Sequence, residues 1–219
     1  RLGVSDFTRF NAFAESNGAL GCSKSHAMLL QMANITQDQL YMICEDDCEF
    51  LVEREYIDSI IDEFFYNPNL DVLCLGYNAT SGVSVSNNLM ITSDTLTTSC
   101  YLVKSYAVSV LWDSALKSIN FLSEGKNVQD FAIDVVWKEA QKNIFFARPK
   151  IRIVKQRASH SDIEGQFQDI GVCYTVQYYF LCKKWSCIYV KKINLILLFC
   201  IIQLFTNRNI DIVYMLTKK

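Results

Sequence analysis

The chain has 219 residues, 51% of them hydrophobic, with 21 Lys and Arg against 23 Asp and Glu. This hydrophobic share supports a packed core and excludes general disorder, while a formal charge of −2 argues against a nucleic-acid-binding face, which needs a basic stripe. The length suits one domain of ordinary size followed by a tail. Because the first residue is Arg1 rather than Met, we expect an N-terminal piece to be missing.

The predicted elements alternate between strands and helices. Apolar runs predict strands at 41–44, 71–77, 99–103, 144–147 and 151–154, and helical spacing predicts helices at 21–33, 56–65, 106–122 and 130–142. Residues 78–98 are rich in Ser, Thr and Asn without a clear period, so we expect a long surface loop there, of the kind that often serves as a lid or binding segment. The alternation predicts an α/β fold with a mainly parallel central sheet flanked by helices.

Composition changes after about residue 168. We therefore expect one domain over 1–168 and an apolar C-terminal extension of uncertain structure over 169–219. The apolar run at 193–205 is shorter than the ~20 residues of a membrane span. A core helix, an interfacial helix, a poorly structured extension and a true span are all left open, and membrane association through this run is one expectation.

Nine cysteines are spread along the chain without a Cys-x-x-Cys pair. Several lie in apolar runs, where a thiol behaves as a small hydrophobe. We expect most of them to be reduced and buried, which favours a cytosolic location. Glycosylation triplets at Asn34 and Asn78 weigh mildly against that location, although such triplets often occur by chance.

The segment 40–50 is an apolar run that stops at Glu45, Asp46 and Asp47. Three adjacent carboxylates cost free energy unless a cation or hydrogen-bond donors compensate them. If the strand continued, Glu45 and Asp47 would lie on one side and Asp46 on the other. Ligands collect at the carboxyl ends of strands in α/β sheets, so this pattern favours a hard divalent cation with oxygen ligands. The alternative is a polar turn whose acids are solvated or cap the next helix.

A second distinctive stretch runs Gly18-Ala-Leu-Gly21-Cys22-Ser23-Lys24-Ser25-His26. Its glycines suit a turn, and its serines suit a helix cap. Cys22 and His26 are four residues apart, so a helix would place them on one face. That spacing suits a Cys-His nucleophilic pair, but no ordering acid lies nearby in sequence, so we favour a core thiol.

These stretches together resemble glycosyltransferase family 25, which contains lipooligosaccharide glycosyltransferases and procollagen galactosyltransferases. The resemblance rests on the Gly-Cys-x-x-Ser-His helix entry at Gly21–His26 and on the strand that ends in Glu45-Asp46-Asp47. Further similar segments are Arg9-Phe10-Asn11-Ala12-Phe13, Cys100-Tyr101-Leu102-Val103 with Ala107, Ile133-Asp134, and Ser161-Asp162-Ile163-Glu164. The match spans residues 8–166, and the family's first nucleotide-binding strand is expected to be absent.

The resemblance implies a GT-A-like fold that uses a UDP-sugar donor. It also implies a divalent ion, Mn²⁺ or Mg²⁺, between the donor diphosphate and the acidic motif. A hexose such as galactose would be transferred, with inversion, to a hydroxyl of a glycan, lipopolysaccharide or protein acceptor. The metal would act as a Lewis acid on the leaving diphosphate, whose negative charge grows as the glycosidic bond breaks.

The same resemblance suggests roles for the acids. Asp47 is the first candidate metal ligand, because it lies furthest past the predicted strand. Glu45 and Asp46 would join it at the metal, or hold the ribose or a metal-bound water. Asp134 is the candidate catalytic base, on a helix face shared with Asp130. The alternative for Asp134 is a solvated helix face.

Four more residues are expected to contact the donor or the metal. His26 and Ser25 would bind the donor or position the acidic loop, although His26 also suits a satisfied histidine under the sheet. Asp162 and Glu164, close to His160, would complete the metal shell. The alternative for this late segment is a charged loop that closes the domain.

Two other functions are kept as alternatives. The chain would be a non-catalytic sugar- or nucleotide-binding relative if it bound UDP without transfer. A metal-dependent phosphoryl-transfer enzyme would share the acidic cluster, but the sequence lacks a Gly-rich phosphate loop of the GxxxxGK[ST] type.

Overall fold

The computed structural model describes residues 8–36, 39–79, 81–157, 159–161, 166–168 and 210–216. The strands are β1 Thr8–Asn11, β2 Leu40–Cys44, β3 Cys48–Phe50, β4 Val72–Cys74, β5 Val83–Ser84, β6 Leu89–Thr92, β7 Cys100–Lys104, β8 Phe146–Pro149, β9 Val154–Gln156, β10 Ser159–Ser161, β11 Gln166–Gln168 and β12 Ile210–Leu216. The helices are α1 Gly18–Thr36, α2 Arg54–Phe65, α3 Val108–Ser123, α4 Val128–Phe131 and α5 Ile133–Val136, with 3₁₀ turns at Ser105–Ala107 and Ala140–Lys142.

The central sheet is mixed. Its continuous part has the order β2-β7-β4-β8-β6-β5, and β12 and then β1 add to it beyond β2. The pairs β1–β12, β12–β2 and β4–β8 are parallel, whereas β2–β7, β4–β7, β6–β8 and β5–β6 are antiparallel. The prediction of an α/β fold with flanking helices is confirmed, and the prediction of a mainly parallel sheet is wrong.

The direction of β7 explains this difference. Parallel neighbours need a crossover connection, usually a helix. The described residues between β4 and β7 contain no helix; they contain β5 and β6, which pair with each other at the edge of the sheet. The chain therefore returns antiparallel as β7. The expectation of an unstructured loop over 78–98 is wrong for these two strands, which are too short to show a clear period in the sequence.

Strand β2 is buried on both faces of the sheet. Tyr41 and Ile43 belong to one core cluster, with α1 and α3, whereas Leu40, Met42 and Cys44 belong to the other, with α2. Successive strand residues point to opposite faces, so each face of β2 packs against helices. The result is a helix–sheet–helix arrangement in which the residue after Cys44 continues on the α1 side.

Helix α1 begins at Gly18, three residues before the predicted start, because the Asn17 side chain caps it. The Asn17 Oδ1 atom accepts hydrogen bonds from the backbone N–H groups of Ala19 at 3.1 Å and Leu20 at 3.3 Å. Gly21 is required by close packing: a Cβ atom there would lie 2.5 Å from the carbonyl oxygen of Phe13. The glycine of the helix-entry motif therefore allows the preceding segment to pack on α1.

The predicted single helix over 130–142 is wrong. The backbone of Ala132 is extended, with φ −56° and ψ 149°, and it separates α4 from α5. Residues 133–136 read Ile-Asp-Val-Val, which combines β-branched side chains with an aspartate, and all of these are modest helix formers. The break places Ile133 and Val136 in the core and separates Asp130 from Asp134.

Part of the predicted extension lies in the sheet, because Ile210–Leu216 forms β12 between β1 and β2. The run at 193–205 lies outside the described residues. Among the helices that the structure does describe, none has the length and apolar character needed to cross a membrane. None of the five cysteines of the described residues, Cys22, Cys44, Cys48, Cys74 and Cys100, is in a disulfide bond.

Candidate functional site at the end of strand β2

Strands β2, β4 and β8 all end at the same edge of the sheet, which we call the carboxyl edge. Because β7 runs antiparallel to β2 and β4, it begins at this edge. The end of β2 and the start of β7 are therefore neighbours, and the backbone N–H of Glu45 donates to the carbonyl of Ser99 at 2.7 Å. The acidic turn, residues 45–47, thus faces the polar segment Thr97-Thr98-Ser99.

On the α1 side of the acidic turn, the side chain of Glu45 contacts Thr98 and His26. Its Oε1 atom accepts a hydrogen bond from the Thr98 hydroxyl at 2.8 Å and lies 3.4 Å from Nε2 of His26. Nδ1 of His26 lies 3.1 Å from the Tyr101 hydroxyl, and the two rings are stacked. His26 is wholly buried, and each of its ring nitrogens lies near a polar atom of the fold.

Cys22, one helical turn before His26, completes what we call the Cys-His-Glu cluster. One ligand atom from each of Cys22, His26 and Glu45 lies within 4.8 Å of the other two. Among the described residues, the three acids of the turn do not form such a set. That Glu45, Asp46 and Asp47 bind one ion together stays a prediction.

Asp47 lies on the β9 side of the turn. Its Oδ2 atom accepts a hydrogen bond from the Gln156 side chain at 3.3 Å. Its Oδ1 atom is buried and has no hydrogen-bond partner among the described residues. Burial raises the pKa of Asp47 to about 6, with further increases from the charges of Glu45 and Asp46. Asp47 thus holds a free acceptor in a place where a negative charge is costly.

Asp46 is the exposed member of the acidic turn. Its carbonyl accepts a hydrogen bond from the Arg157 guanidinium at 2.8 Å, and the carbonyl of Asp47 accepts one from the Arg157 backbone at 2.7 Å. The strand ends at Cys44 and a turn follows, so the two-residue alternation that would put Asp47 on the same side as Glu45 is not kept after Glu45.

Asp134 lies at the same edge, although its partner is a backbone group. Its Oδ2 atom accepts a hydrogen bond from the N–H of Thr97 at 3.0 Å. Burial raises the pKa of Asp134, and the nearby charge of Glu45 raises it further. Thr97 has φ 73°, a left-handed conformation that is strained for a β-branched residue. Asp134 therefore fixes a strained residue beside the acidic turn. Asp130 is exposed and takes no part.

The segment that precedes β7 is also hydrogen-bonded at Thr95, by side chains from the region after α5. Both Nε1 of Trp137 and Nε2 of Gln141 donate to the Thr95 carbonyl, at 2.9 Å and 2.8 Å. The Gln141 Oε1 atom in turn accepts from the N–H of Thr95 at 3.0 Å. These buried bonds fix the backbone that leads into Thr97 and Thr98. The surrounding structure thereby holds Thr97 in its strained conformation.

The remaining predicted site residues are Ser25, Asp162 and Glu164. Ser25 is wholly buried, and its hydroxyl donates to the Gly21 carbonyl at 2.7 Å and accepts from the N–H of Phe13 at 2.9 Å. This hydroxyl therefore fixes the chain that precedes α1. Asp162 and Glu164 lie outside the described residues, and of His160 only its place in β10 is described.

Sequence reasoning missed three residues of the site, Thr97, Thr98 and Gln156. The Ser, Thr and Asn content of 78–98 and its lack of a clear period predict a loop that ends with the two threonines. A parallel β7 would also have placed these threonines at the opposite end of the strands from the acidic turn. Gln156 reaches the turn because β9 pairs with β3 directly after it. The polar run before a predicted strand was the available signal for the two threonines.

Comparisons with known proteins add no assignment: no model of a protein family matches the chain, and no curated protein matches its sequence. The family resemblance therefore depends on the quoted motifs alone.

Proposed function

We propose that the chain is a metal-assisted glycosyltransferase that binds a nucleotide-sugar donor at the acidic turn. The donor would be a UDP-sugar, and a hexose such as galactose would pass, with inversion, to a hydroxyl of a glycan, lipopolysaccharide or protein acceptor. The proposal includes a GT-A-like fold, and it is supported by the resemblance of the quoted motifs to glycosyltransferase family 25.

The observation that carries the proposal is the state of Asp47. One buried carboxylate oxygen of Asp47 has no hydrogen-bond partner among the described residues, and the pKa of this side chain is raised. Such a group is costly for the fold unless a cation compensates it. Mn²⁺ and Mg²⁺ are typically bound by one or two carboxylates together with substrate phosphates. Asp47 therefore fits as the protein ligand, and the diphosphate would supply further oxygens. When bound, the ion would stabilise the charge that develops on the leaving diphosphate.

The remaining residues suit positioning and proton transfer. In this proposal the bond between the sugar and the diphosphate breaks as the acceptor oxygen bonds to the sugar, and the acceptor hydroxyl proton passes to the carboxylate of Asp134. Its raised pKa makes Asp134 a stronger base than an exposed aspartate. Thr97, by donating its N–H to the same carboxylate, would orient it.

Calorimetric titration with UDP, with and without Mn²⁺, tests donor binding. We expect wild type to bind UDP only when Mn²⁺ is present, and Asp47→Asn to weaken that binding at least tenfold, because the charged ligand is lost. Asp46→Asn is the matched control: it removes the exposed neighbouring carboxylate and should change affinity less than threefold. Equal binding by wild type and Asp47→Asn would refute the proposed metal ligand.

A non-catalytic, UDP-binding relative is the second candidate, because strained residues such as Thr97 occur in ligand-binding sites as well as in catalytic sites. Asp134→Asn separates the two. A transferase should keep UDP affinity and lose transfer or donor hydrolysis by about 10²–10⁴-fold, the range of general base catalysis. Asp130→Asn, which changes an exposed residue on α4, is its control. A wild-type protein that binds UDP without any turnover across UDP-sugars would favour the binding relative.

A further inference from the structure

The Cys-His-Glu cluster lies on the α1 side of the acidic turn, whereas Asp47, the proposed ligand of the donor metal, lies on the β9 side. From its geometry we propose that Cys22, His26 and Glu45 form a binding site for a transition-metal ion of borderline softness, such as Zn²⁺. This site is separate from the oxygen-ligand site at Asp47, and it does not depend on the proposed transferase activity.

The positions of the ligand atoms support this site. The Cys22 and His26 side chains lie one helical turn apart on α1, so they share a face, and Glu45 approaches that face from the end of β2. The three ligand atoms lie within 4.8 Å of one another. Tetrahedral zinc with Zn–S of about 2.3 Å and Zn–N of about 2.0 Å places its ligand atoms roughly 3–4 Å apart, so small side-chain movements would close the set around an ion.

The surrounding hydrogen bonds resemble those that orient metal ligands in other proteins. The Tyr101 hydroxyl lies 3.1 Å from Nδ1 of His26, which leaves Nε2 directed to Glu45. The Thr98 hydroxyl holds the Glu45 carboxylate at 2.8 Å. A partner on the second ring nitrogen fixes the tautomer and ring orientation of a ligating histidine, and ligating carboxylates are similarly held.

The chemistry of the ligands selects the kind of metal. A thiolate with an imidazole favours Zn²⁺ or Co²⁺ over Mn²⁺ and Mg²⁺, which prefer oxygen ligands. Binding would release the thiol proton of Cys22 to solvent, since the thiolate is the ligand. Cys22 and Glu45 are both partly exposed, which gives the ion a path to the buried ring. Three protein ligands leave one position for water or another small ligand.

Cobalt titration of the full chain, freed of metal with a chelator and without nucleotide, tests the site. We expect wild type to bind one equivalent of Co²⁺, with intense visible bands of tetrahedral cobalt and a thiolate-to-cobalt charge-transfer band in the near ultraviolet. Zn²⁺ should displace the cobalt, and Mn²⁺ in excess should not. Cys22→Ser should abolish the charge-transfer band and weaken cobalt binding at least tenfold.

Two controls make the result specific. Cys48→Ser changes a half-buried thiol on the other side of the turn and should keep the bands. Asp47→Asn should also keep them, so failure of the donor site and failure of this site are distinguishable. If Cys22→Ser folds poorly, His26→Gln provides a second test by the same bands, and its melting temperature should not rise with Zn²⁺ as that of wild type does. A wild type without a thiolate band, or a Cys22→Ser variant that retains it, would overturn the proposal.

Discussion

The two sides of one acidic turn differ in how they treat a carboxylate. On the α1 side, Glu45 accepts a hydrogen bond from Thr98 and faces a buried histidine whose second nitrogen is also engaged. On the β9 side, Asp47 has one long bond from Gln156 and a buried oxygen without a partner among the described residues. Glu45 and Asp47 are only two residues apart in sequence, yet their carboxylates have different surroundings.

This contrast distinguishes a carboxylate that is hydrogen-bonded within the fold from one that is available to bind a ligand. A buried polar group that is hydrogen-bonded contributes to stability, and one that is not costs about 1–3 kcal/mol. His26 is expected to stabilise the native state, whereas the charge of Asp47 is expected to destabilise it until a ligand arrives. Substitutions on the two sides should therefore change stability in opposite directions.

The largest effect is expected for His26→Ala. The change removes a wholly buried ring that stacks on Tyr101, and it leaves the hydroxyl of Tyr101 without this partner. We expect a loss of about 3 kcal/mol in the free energy of unfolding, as for other large-to-small core changes. Urea denaturation in the presence of a chelator measures it. Ile35→Ala, at a position 71% exposed on the same helix, should stay within about 0.5 kcal/mol of wild type.

Asp47→Asn should act in the opposite direction, by a smaller amount. Because the native pKa is raised from 3.8 to about 6, ionisation of Asp47 destabilises the fold progressively as pH rises across that interval. The variant should therefore be more stable than wild type by about 1–2 kcal/mol above pH 6, and the gain should vanish as pH falls towards 4. Urea midpoints measured across this range check it, and a variant less stable at neutral pH would contradict the assigned repulsion.

The smallest expected effect concerns the strain at Thr97. Its φ of 73° is costly for threonine and not for glycine. Thr97→Ala removes the hydroxyl but keeps the strain, so it serves as the reference for Thr97→Gly. We expect the glycine variant to be more stable than the alanine variant by about 1 kcal/mol in thermal or urea unfolding. A glycine variant that is less stable would mean that the left-handed conformation carries no cost here.

Sequence patterns predicted the central strands and the long helices, but not the direction of β7, the short strands β5 and β6 or the helix break at Ala132. The apolar run before Glu45 and the helical spacing at 56–65 predicted β2 and α2, because each pattern is local. The antiparallel course of β7 depends on how β5 and β6 fold back at the edge, which no local pattern encodes. The same applies to the break at Ala132. Asp47 and Asp134 were found as candidates, but their partners, Gln156 and Thr97, come together only through sheet pairing.

Direct titration of the Asp47 carboxyl by carbon-13 NMR tests whether this side chain is destabilised as an anion and so available to a cation. The resonance is assigned by its loss in Asp47→Asn. We predict a midpoint of about pH 6, raised by burial and by the neighbouring charges of Glu45 and Asp46, and a marked fall of that midpoint when Mg²⁺ and UDP are added. A midpoint close to the ordinary 3.8, unchanged by the ion and the nucleotide, would contradict the account.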